Sequence, residues 1–299
     1  MRLEGPAPAK INLFLHVGPV DAEGYHPLSS LVAFADIGDR LVVEPGDRLS
    51  LRIEGPFGGG LAGDDNLILR ALRRLGEATG RGEPRLSVVL DKRLPIAAGL
   101  GGGSSDAGAA LRLAARLLEL EPNDPALEAA ARTVGADGPM CLRARAAWAE
   151  GRGERLTAEP RLPALPVVLV NPGVPSPTGA VYRAYDAGPA RTADRPEPPL
   201  SWTPREVVAW LSALRNDLEP PAVAMTPVIA TALAAVAATD GVLLSRMSGS
   251  GATVFGLYGD AEAARAAAGT LRCARPDWWV RSGVLNSAAA VEYSGGNQA

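Results

Sequence analysis

Cysteine, histidine and lysine are scarce in this chain of 299 residues. Its two cysteines, Cys141 and Cys273, are far apart and belong to no CxxC or Cys/His cluster. The sequence therefore supports neither a disulfide framework nor a structural zinc site, and we expect a reducing, cytoplasmic location. Two lysines, Lys10 and Lys92, stand beside 28 arginines, so any chemistry that needs a lysine is confined to two positions.

Long apolar runs and an excess of positive charge are also missing. Arg, Asp, Gly or Pro interrupts every apolar stretch before it reaches the roughly 18 residues needed to cross a bilayer, so we expect no membrane insertion. Residues 1–10 lack the charged and apolar regions of a secretory signal. With a formal net charge of -3 and a pI of about 5.6, we expect no nucleic-acid partner and instead a small-molecule partner.

The composition, with 47% hydrophobic and 21% charged residues, is that of a soluble globular protein. The length corresponds to about two domains of roughly 150 residues each. We place an N-terminal domain with a glycine-rich loop at residues 1–158 and a C-terminal domain at residues 159–299. The last strand could pack back on the N-terminal domain.

Hydrophobic periodicity predicts helices and strands in the order of an α+β sandwich. Residues 9–17 alternate for part of their length, which predicts a strand with Lys10 and Asn12 on one face. Further strands are predicted at residues 28–34, 40–44, 86–90, 165–170, 242–247, 252–258 and 278–280. Helices are predicted after residue 66, after the glycine loop, near residues 125–135, 204–214 and 226–238, and before the last strand. Residues 183–200 have no periodicity and are predicted to form a mobile loop.

A glycine-rich loop is the most informative segment, since residues 95–106 read PIAAGLGGGSSD. Four glycines remove the Cβ atoms that would keep a ligand away from the backbone, and a helix is predicted to follow directly. Unpaired N–H groups and the helix dipole at such a helix start bind phosphate. Ser104 and Ser105 add hydroxyls for phosphate or magnesium, so the loop suits a nucleoside triphosphate.

Two familiar nucleotide motifs do not fit this loop. No Lys-Ser or Lys-Thr pair follows the glycines, as a P-loop requires. A G-x-G-x-x-G register would place Ser104 or Asp106 at the third glycine, which excludes the dinucleotide-binding fingerprint. The alternative for the loop is a flexible turn without a ligand.

Three separated motifs make the sequence resemble the GHMP kinases, the superfamily of galactokinase, homoserine kinase and mevalonate kinase. The motifs are PAKINL at residues 8–13, GLGGGSS within residues 95–105 and MSGSGAT at residues 247–253. Their order and distances fit that superfamily along nearly the whole chain. The resemblance implies a two-lobed α+β fold with the active site in a cleft between the lobes, and a kinase that uses ATP, with Mg²⁺ expected beside it.

Five shorter motifs resemble one branch of the superfamily. They are GYH at residues 24–26, DDNL at 64–67, GADGP at 135–139, NPG at 171–173 and NDLE at 216–219. That branch phosphorylates the 2-hydroxyl of 4-(cytidine 5'-diphospho)-2-C-methyl-D-erythritol in the non-mevalonate route to isoprenoid precursors. The resemblance thus implies this substrate, and we expect a monomer or a weak homodimer.

The resemblance assigns the catalytic roles to Lys10 and Asp137. Asp137 would accept the proton of the substrate hydroxyl, while Lys10 would keep Asp137 ionised and reach toward the γ-phosphate. The alternative for a lone aspartate and lysine is a structural salt bridge.

The resemblance also implies which residues contact the ligands, and no residue is assigned to a metal. Asn66 could contact the adenine nucleotide or cap a helix. The residues expected to bind ATP are Asn66, Pro95, Ile96, Ala97, Ala98, Gly99, Leu100, Gly101, Gly102, Gly103, Ser104 and Ser105. The residues expected to bind the second substrate are Asn12, Tyr25, His26, Thr178 and Tyr182. The aromatic ones would hold the cytosine, although a Tyr-His pair is otherwise a common surface feature.

Two other functions stay open. One is a different GHMP kinase, of the homoserine or mevalonate type, whose substrate lacks the cytidine group. The other is a nucleotide-binding regulator that kept the loop and lost catalysis, against which the presence of both Lys10 and Asp137 argues.

Overall fold

The architecture is given by a computed structural model that describes residues 1–59, 61, 65–189 and 191–287, and the backbone of residues 294–296. Asp64 and Ala190, which belong to segments discussed above, lie outside the described residues. The strands are β1 (Arg2–Val17), β2 (Leu28–Pro45), β3 (Ser50–Glu54), β4 (Leu86–Asp91), β5 (Ala147–Gly151), β6 (Arg155–Ala158), β7 (Leu165–Asn171), β8 (Val242–Met247), β9 (Val254–Tyr258), β10 (Trp279–Leu285) and β11 (Ser294–Gly296). The helices are α1 (Leu67–Ala78), α2 (Gly102–Leu117), α3 (Pro125–Arg132), α4 (Gly138–Arg143), α5 (Thr178–Asp186), α6 (Pro204–Ser212), α7 (Glu219–Met225), α8 (Val228–Ala237) and α9 (Ala261–Ala274).

The strands join into one network whose main path has the order β11-β1-β2-β10-β7-β9-β8. Strand β2 connects most of it, because it pairs antiparallel with β1 along nearly its whole length, with β4 at residues 40–45 and with β5 at residues 28–32. The pairing of β11 with β1 brings the end of the chain back to its beginning. The predicted α+β class is confirmed.

Two predicted strands, at residues 28–34 and 40–44, are one continuous strand in the structure. The polar residues between them suggested a break, but β2 continues through them beside β1. The β1–β2 pair contains register irregularities between Pro8 and Lys10 and between Asn12 and Phe14. Such irregularities bend a strand, which allows one end of β2 to pair with β4 and the other with β5.

Helices α1, α2 and α3 cover one part of the sheet. Their apolar faces, including Leu72 and Leu111, pack with Leu41 and Val88 of the strands in a fully buried core. A second core surrounds Trp148 and includes residues of β1, β7, β9 and α6. These two cores hold the start of α2, which follows the glycine loop, against β1.

The region predicted as a mobile loop, residues 183–200, differs from that prediction in two respects. Residues 183–186 form the last turn of α5. Further along, Arg191 pairs with Asp217 at 3.3 Å, and the Glu197 carbonyl accepts a hydrogen bond from the Trp210 indole at 2.8 Å. These contacts are long-range and irregular, so they leave no periodicity in the sequence.

Several short elements, β3, β5, β6, α4, α5 and α7, were not predicted. The helices among them have nine residues or fewer. Helices of this length depend on tertiary packing more than on their own propensity. Among the described residues, no helix has both the length and the apolar character needed to cross a membrane.

Replacement of Gly108 tests how closely α2 packs on α4. An ideal Cβ at this position would lie 2.5 Å from the Cys141 carbonyl oxygen, so Gly108→Ala should lower the free energy of unfolding by about 1–3 kcal/mol. Gly269 in α9 is the matched control, because a Cβ there meets no atom within 4 Å and Ala favours the helix by up to about 1 kcal/mol. Urea unfolding of both variants measures the difference, and equal changes of the same sign would contradict it.

Candidate active site

Strand β1 holds two loops by hydrogen bonds from its backbone. The Lys10 N–H donates to the Leu100 carbonyl at 2.9 Å, which attaches the glycine loop. Two residues on, the Asn12 N–H donates to Ser248 Oγ at 3.2 Å, which attaches the turn between β8 and β9. The motifs at residues 95–105 and 247–253 are therefore both attached to the motif at residues 8–13.

The glycine loop and the β8–β9 turn also touch each other directly. The Thr253 N–H donates to the Ala98 carbonyl at 3.1 Å, and Ser248 Oγ donates to the Gly99 carbonyl at 3.0 Å. Gly99 has φ +74°, and an ideal Cβ there would lie 2.4 Å from the Ser248 carbonyl oxygen. Only glycine permits this approach.

A cavity of about 830 Å³ lies where these segments meet. Most of the predicted site residues line it, namely Lys10, Asn12, Asn66, Pro95, Ile96, Ala97, Ala98, Gly99, Gly101, Gly102, Gly103, Ser104, Asp137, Thr178 and Tyr182. Four predicted residues do not line it: Tyr25, His26, Leu100 and Ser105.

Lys10 and Asp137 form an ion pair in this cavity. The Lys10 ammonium lies 3.2 and 3.1 Å from the two carboxylate oxygens of Asp137, which precedes α4. The lysine side chain is 9% exposed and the aspartate side chain 36% exposed, so the carboxylate can still be reached by a ligand. Gly101 lies beside the pair, with an ideal Cβ position 3.3 Å from Lys10 Cβ and 3.5 Å from Asp137 Oδ2. The glycine loop thus lies beside both predicted catalytic groups.

The start of α2 is open toward the cavity. Its N-cap residue, Gly101, has a left-handed backbone with φ +61° and provides no side-chain cap. The first backbone N–H groups of such a helix lack intrahelical partners and favour an anion. Ser104 lines the cavity beside them.

At Ser105 and Leu100 the structure differs from the expected ATP contacts. The Ser105 hydroxyl is fully buried and donates to the Pro8 carbonyl at 2.7 Å, and the Leu100 side chain lies in the core. A helix turns once in 3.6 residues, so adjacent serines cannot present both hydroxyls to one site. Asn66 does cap α1, since its Oδ1 accepts from the Ile68 N–H at 2.9 Å, and it also lines the cavity.

A buried cluster of three charged residues, none of which was predicted from the sequence as a site residue, supports the glycine loop. The Lys92 ammonium lies 2.6 Å from both Asp39 Oδ2 and Asp106 Oδ2, and each of the three residues is at most 3% exposed. The cluster joins β2, the end of β4 and α2, and the ammonium lies 3.1 Å from an ideal Cβ at Gly102. The scarcity of lysine was the one signal that could have drawn attention to Lys92.

The surroundings of this cluster shift the pKa values of Lys92 and Asp106. Burial by itself would lower the pKa of Lys92, but the carboxylates of Asp106 and Asp39 outweigh it and raise that pKa above its usual value. Burial raises the pKa of Asp106, against the effect of Lys92. Removing the ammonium would therefore leave two buried carboxylates without their compensating charge.

The residues expected to bind the cytosine differ in whether they line the cavity. Tyr182 lines the cavity, and burial together with the Asp137 charge raises the pKa of its hydroxyl to about 12. His26 packs on Tyr182 with ring centroids 5.0 Å apart. Its Nδ1 lies 2.9 Å from the Gly18 carbonyl oxygen and its Nε2 lies 3.4 Å from Asp186 Oδ1, so protein groups contact both nitrogens.

Asn12 and Thr178 line the cavity but already have polar partners. Asn12 Nδ2 donates to Ser30 Oγ at 2.8 Å, and Thr178 Oγ1 lies 2.9 Å from Ser250 Oγ. Asn216, from a motif without an assigned role, donates from its side chain to the Met247 and Gly249 carbonyls at 2.8 Å each. It therefore holds the β8–β9 turn in place.

Two family models match segments of this chain that contain the glycine loop and the β8–β9 turn. The families described as GHMP kinases N terminal domain and GHMP kinases C terminal match residues 66–144 and 205–275. A relative from Caulobacter vibrioides, named 4-diphosphocytidyl-2-C-methyl-D-erythritol kinase, is 55% identical over 94% of this chain and 98% of its own length. The chain belongs to the 4-diphosphocytidyl-2-C-methyl-D-erythritol kinase family. A relative of the same name from Dinoroseobacter shibae is 50% identical over 95% of each chain.

Solved structures agree with membership of this kinase family. A crystal structure of 4-(cytidine 5'-diphospho)-2C-methyl-D-erythritol kinase has a TM-score of 0.75 and 37% identity, covering 95% of this chain and 100% of that one. A homoserine kinase from Cytophaga hutchinsonii has a TM-score of 0.67 at 18% identity, covering 98% and 97% of the two chains. The second similarity concerns the fold alone.

The buried cluster around Lys92 predicts that the free energy of unfolding depends more on Lys92 than on Lys10. Lys92→Met should lower the free energy of unfolding by about 3–5 kcal/mol, because it leaves two buried carboxylates uncompensated. Lys10→Met is the control and should cost less than about 1 kcal/mol, since water reaches the Asp137 carboxylate. Urea unfolding at pH 7 measures both.

A second variant separates charge from packing in this test. Adding Asp106→Asn to Lys92→Met removes one of the two uncompensated charges, so part of the lost stability should return. If the double variant is no more stable than Lys92→Met alone, the loss comes from packing and the electrostatic explanation is wrong.

Proposed function

We propose that this chain transfers the γ-phosphoryl group of ATP to the 2-hydroxyl of 4-(cytidine 5'-diphospho)-2-C-methyl-D-erythritol, a step of the non-mevalonate route to isoprenoid precursors. The observation that carries the proposal is the Lys10–Asp137 ion pair in contact with the glycine loop. Membership of the kinase family supports the choice of substrate.

ATP would place its phosphates at the start of α2. The left-handed Gly101 leaves the helix without a side-chain cap, and Gly102 and Gly103 add no side chain that would hold the phosphates away. The Ser104 hydroxyl lines the same wall. The nucleoside would extend past Asn66 and Pro95, which line the cavity as well.

Mg²⁺ is expected to accompany ATP, and the cavity offers oxygen ligands that fit it. Asp106 Oδ1 is buried and has no hydrogen-bond partner among the residues described, and both Asp106 and Ser104 line the cavity. These side chains would hold the ion together with the phosphates, since Mg²⁺ commonly uses few protein carboxylates. When bound, the ion would neutralise charge on the transferred group. Within the described part of the chain, no group of three His, Cys, Asp or Glu side chains could hold a metal by itself.

The acceptor hydroxyl would lie at Asp137. Its oxygen forms a bond to the γ-phosphorus while the bond from that phosphorus to the β,γ-bridging oxygen breaks and ADP leaves. The hydroxyl proton passes to the Asp137 carboxylate. Lys10 pairs with this carboxylate and would place positive charge beside the phosphoryl group.

The rest of the substrate would extend from Asp137 toward Tyr182. Burial, together with the Asp137 charge, raises the pKa of Tyr182, so Asp137 acts on the tyrosine across the cavity. Asn12 and Thr178 would provide polar contacts along the way. Tyr25 and His26 remain proposed cytosine contacts, the latter through its packing on Tyr182.

The domain division, location and assembly are part of the same proposal. A boundary at residue 158 separates the two matched family segments, which end at residue 144 and begin at residue 205. The active-site cleft would lie between the two lobes that this boundary defines. We also propose a cytoplasmic monomer or weak homodimer, consistent with both cysteines being free.

Substrate identity is tested by coupled ADP release with three acceptors. The cytidine-diphosphate-linked methylerythritol should be turned over far faster than homoserine or mevalonate at equal concentration. Preference for homoserine or mevalonate would place the chain's activity in another branch of GHMP kinases. ATP binding without turnover of any acceptor would favour a nucleotide-binding regulator.

The catalytic pair has its own test. Asp137→Asn should keep the fold and ATP binding yet reduce turnover by about 100-fold or more, because the amide cannot accept the proton. Lys10→Met should reduce turnover comparably. The exposed Asp240, which does not line the cavity, provides the control Asp240→Asn, with turnover like the parent's. Steady-state rates and calorimetric ATP binding measure these effects, and near-normal turnover of a folded Asp137→Asn variant would contradict the assignment.

A further inference from the structure

Two side chains of the NDLE motif bind the β8–β9 turn from outside the cavity. Asn216 is buried, and neither it nor Glu219 lines the cavity. The Asn216 side chain donates to the Met247 and Gly249 carbonyls at 2.8 Å each. Glu219 Oε2 accepts from the Met247 N–H at 2.8 Å. The motif therefore holds both backbone polar groups of Met247 and the carbonyl of Gly249.

The motif is itself attached to β1, so it provides a fixed support for the turn. The Leu15 N–H donates to the Arg215 carbonyl at 2.9 Å, and the Asp217 N–H donates to the Leu15 carbonyl at 2.8 Å. The Asp217 carboxylate accepts from the Val17 N–H at 2.9 Å. Asn216 is therefore held between two residues that are both bonded to β1.

The β8–β9 turn lies between groups proposed to contact the two substrates. Gly249 and Ser250 of the turn line the cavity. An ideal Cβ at Gly249 would lie 3.3 Å from the carbonyl oxygen of Gly99, in the glycine loop, and 3.4 Å from Asn12 Oδ1. Ser250 Oγ lies 2.9 Å from Thr178 Oγ1. A displacement of the turn would thus shift the proposed acceptor contacts relative to the glycine loop.

The glycine loop also has attachments that do not pass through the turn. The Lys10 N–H donates to the Leu100 carbonyl at 2.9 Å, and the Ser105 hydroxyl donates to the Pro8 carbonyl at 2.7 Å. These contacts would keep the start of α2 in place if the turn moved. Loss of the contacts from Asn216 should therefore affect the alignment of the two substrates more than the binding of ATP.

We propose that Asn216 is a positioning residue for phosphoryl transfer, which fixes the β8–β9 turn so that the acceptor hydroxyl lies in line with the γ-phosphate. Glu219 supports it by holding the Met247 N–H. Both side chains act through the turn, and a small misplacement of reacting groups is enough to slow a reaction strongly. The inference rests on the proposed function, because alignment is measured by transfer from ATP to the cytidylyl acceptor.

The test uses Asn216→Asp, which keeps the size of the side chain but removes its N–H donors. Both carbonyls of the turn then lose their donor and face a carboxylate oxygen. We expect kcat to fall by about tenfold or more and the KM for the acceptor to rise. The dissociation constant of ATP, measured by calorimetry, should change by less than about twofold.

Asn171→Asp is the matched control. Both asparagines are buried, and in each the Oδ1 accepts from the N–H two residues further on, at Gly173 and at Leu218. The Asn171 side chain donates to Thr253 Oγ1 at 3.0 Å, and this hydroxyl can turn and donate to a carboxylate instead. Asn171→Asp should therefore keep the kcat and KM values of the parent, even if it unfolds more easily.

A second pair of variants applies if Asn216→Asp does not fold. Glu219→Gln keeps an oxygen that can accept from the Met247 N–H and should retain the kcat of the parent. Glu219→Ala loses this acceptor and should lower kcat by several-fold with ATP binding unchanged. Urea unfolding of every variant identifies conditions in which it is fully folded, so that rates are compared per folded molecule. A parental kcat for Glu219→Ala would count against the proposal.

Three outcomes with folded Asn216→Asp would overturn the proposal. Parental kcat and acceptor KM would mean that the contacts serve stability alone. Equal losses of kcat in Asn216→Asp and Asn171→Asp would mean a general disturbance by a buried charge. Loss of ATP binding in parallel with kcat would mean that the turn acts on the glycine loop and not on alignment. Failure of the proposed function is distinguishable, because the parent enzyme itself would then not turn over the cytidylyl acceptor.

Discussion

The hydrogen bonds between β1 and its two loops determine the geometry of the whole site. Lys10 and Asn12 use their backbone N–H groups to hold the glycine loop and the β8–β9 turn, and direct their side chains into the cavity between them. One strand thus positions the glycine loop and the lysine of the ion pair together. Because reacting groups must be held close to their productive geometry, this shared attachment gives the site its preorganisation.

Charge in the site is divided between two lysines with different surroundings. Lys92 is enclosed with two carboxylates whose side chains are at most 5% exposed, and it joins β2, the end of β4 and α2 below the loop. Lys10 pairs with a carboxylate that is one-third exposed and therefore open to a substrate hydroxyl. Both lysines form ion pairs, so the ion pair itself does not distinguish them. The difference is the exposure of the carboxylate partner, which is high for Lys10 and low for Lys92.

Much of the local structure could be predicted from sequence. Asn66 caps α1, Thr203 caps α6, and the glycine loop leads directly into α2, as the residue patterns indicated. Each of these features depends on residues close together in the chain. The bent strand β2 and the short helices α4, α5 and α7 could not be predicted, because their hydrogen bonds and packing involve distant partners.

The sequence by itself indicated the kind of site, a glycine-rich loop together with a lysine ion pair. The glycines permit close backbone contacts, and the scarcity of lysine limited the possible ion pairs. Only the tertiary structure decided which side chains face the cavity. Ser105 turns inward to Pro8 while Ser104 stays at the wall, and the Leu100 side chain lies in the core. Ser105 and Pro8 lie 97 residues apart in the chain, and no local pattern records the packing that brings them together.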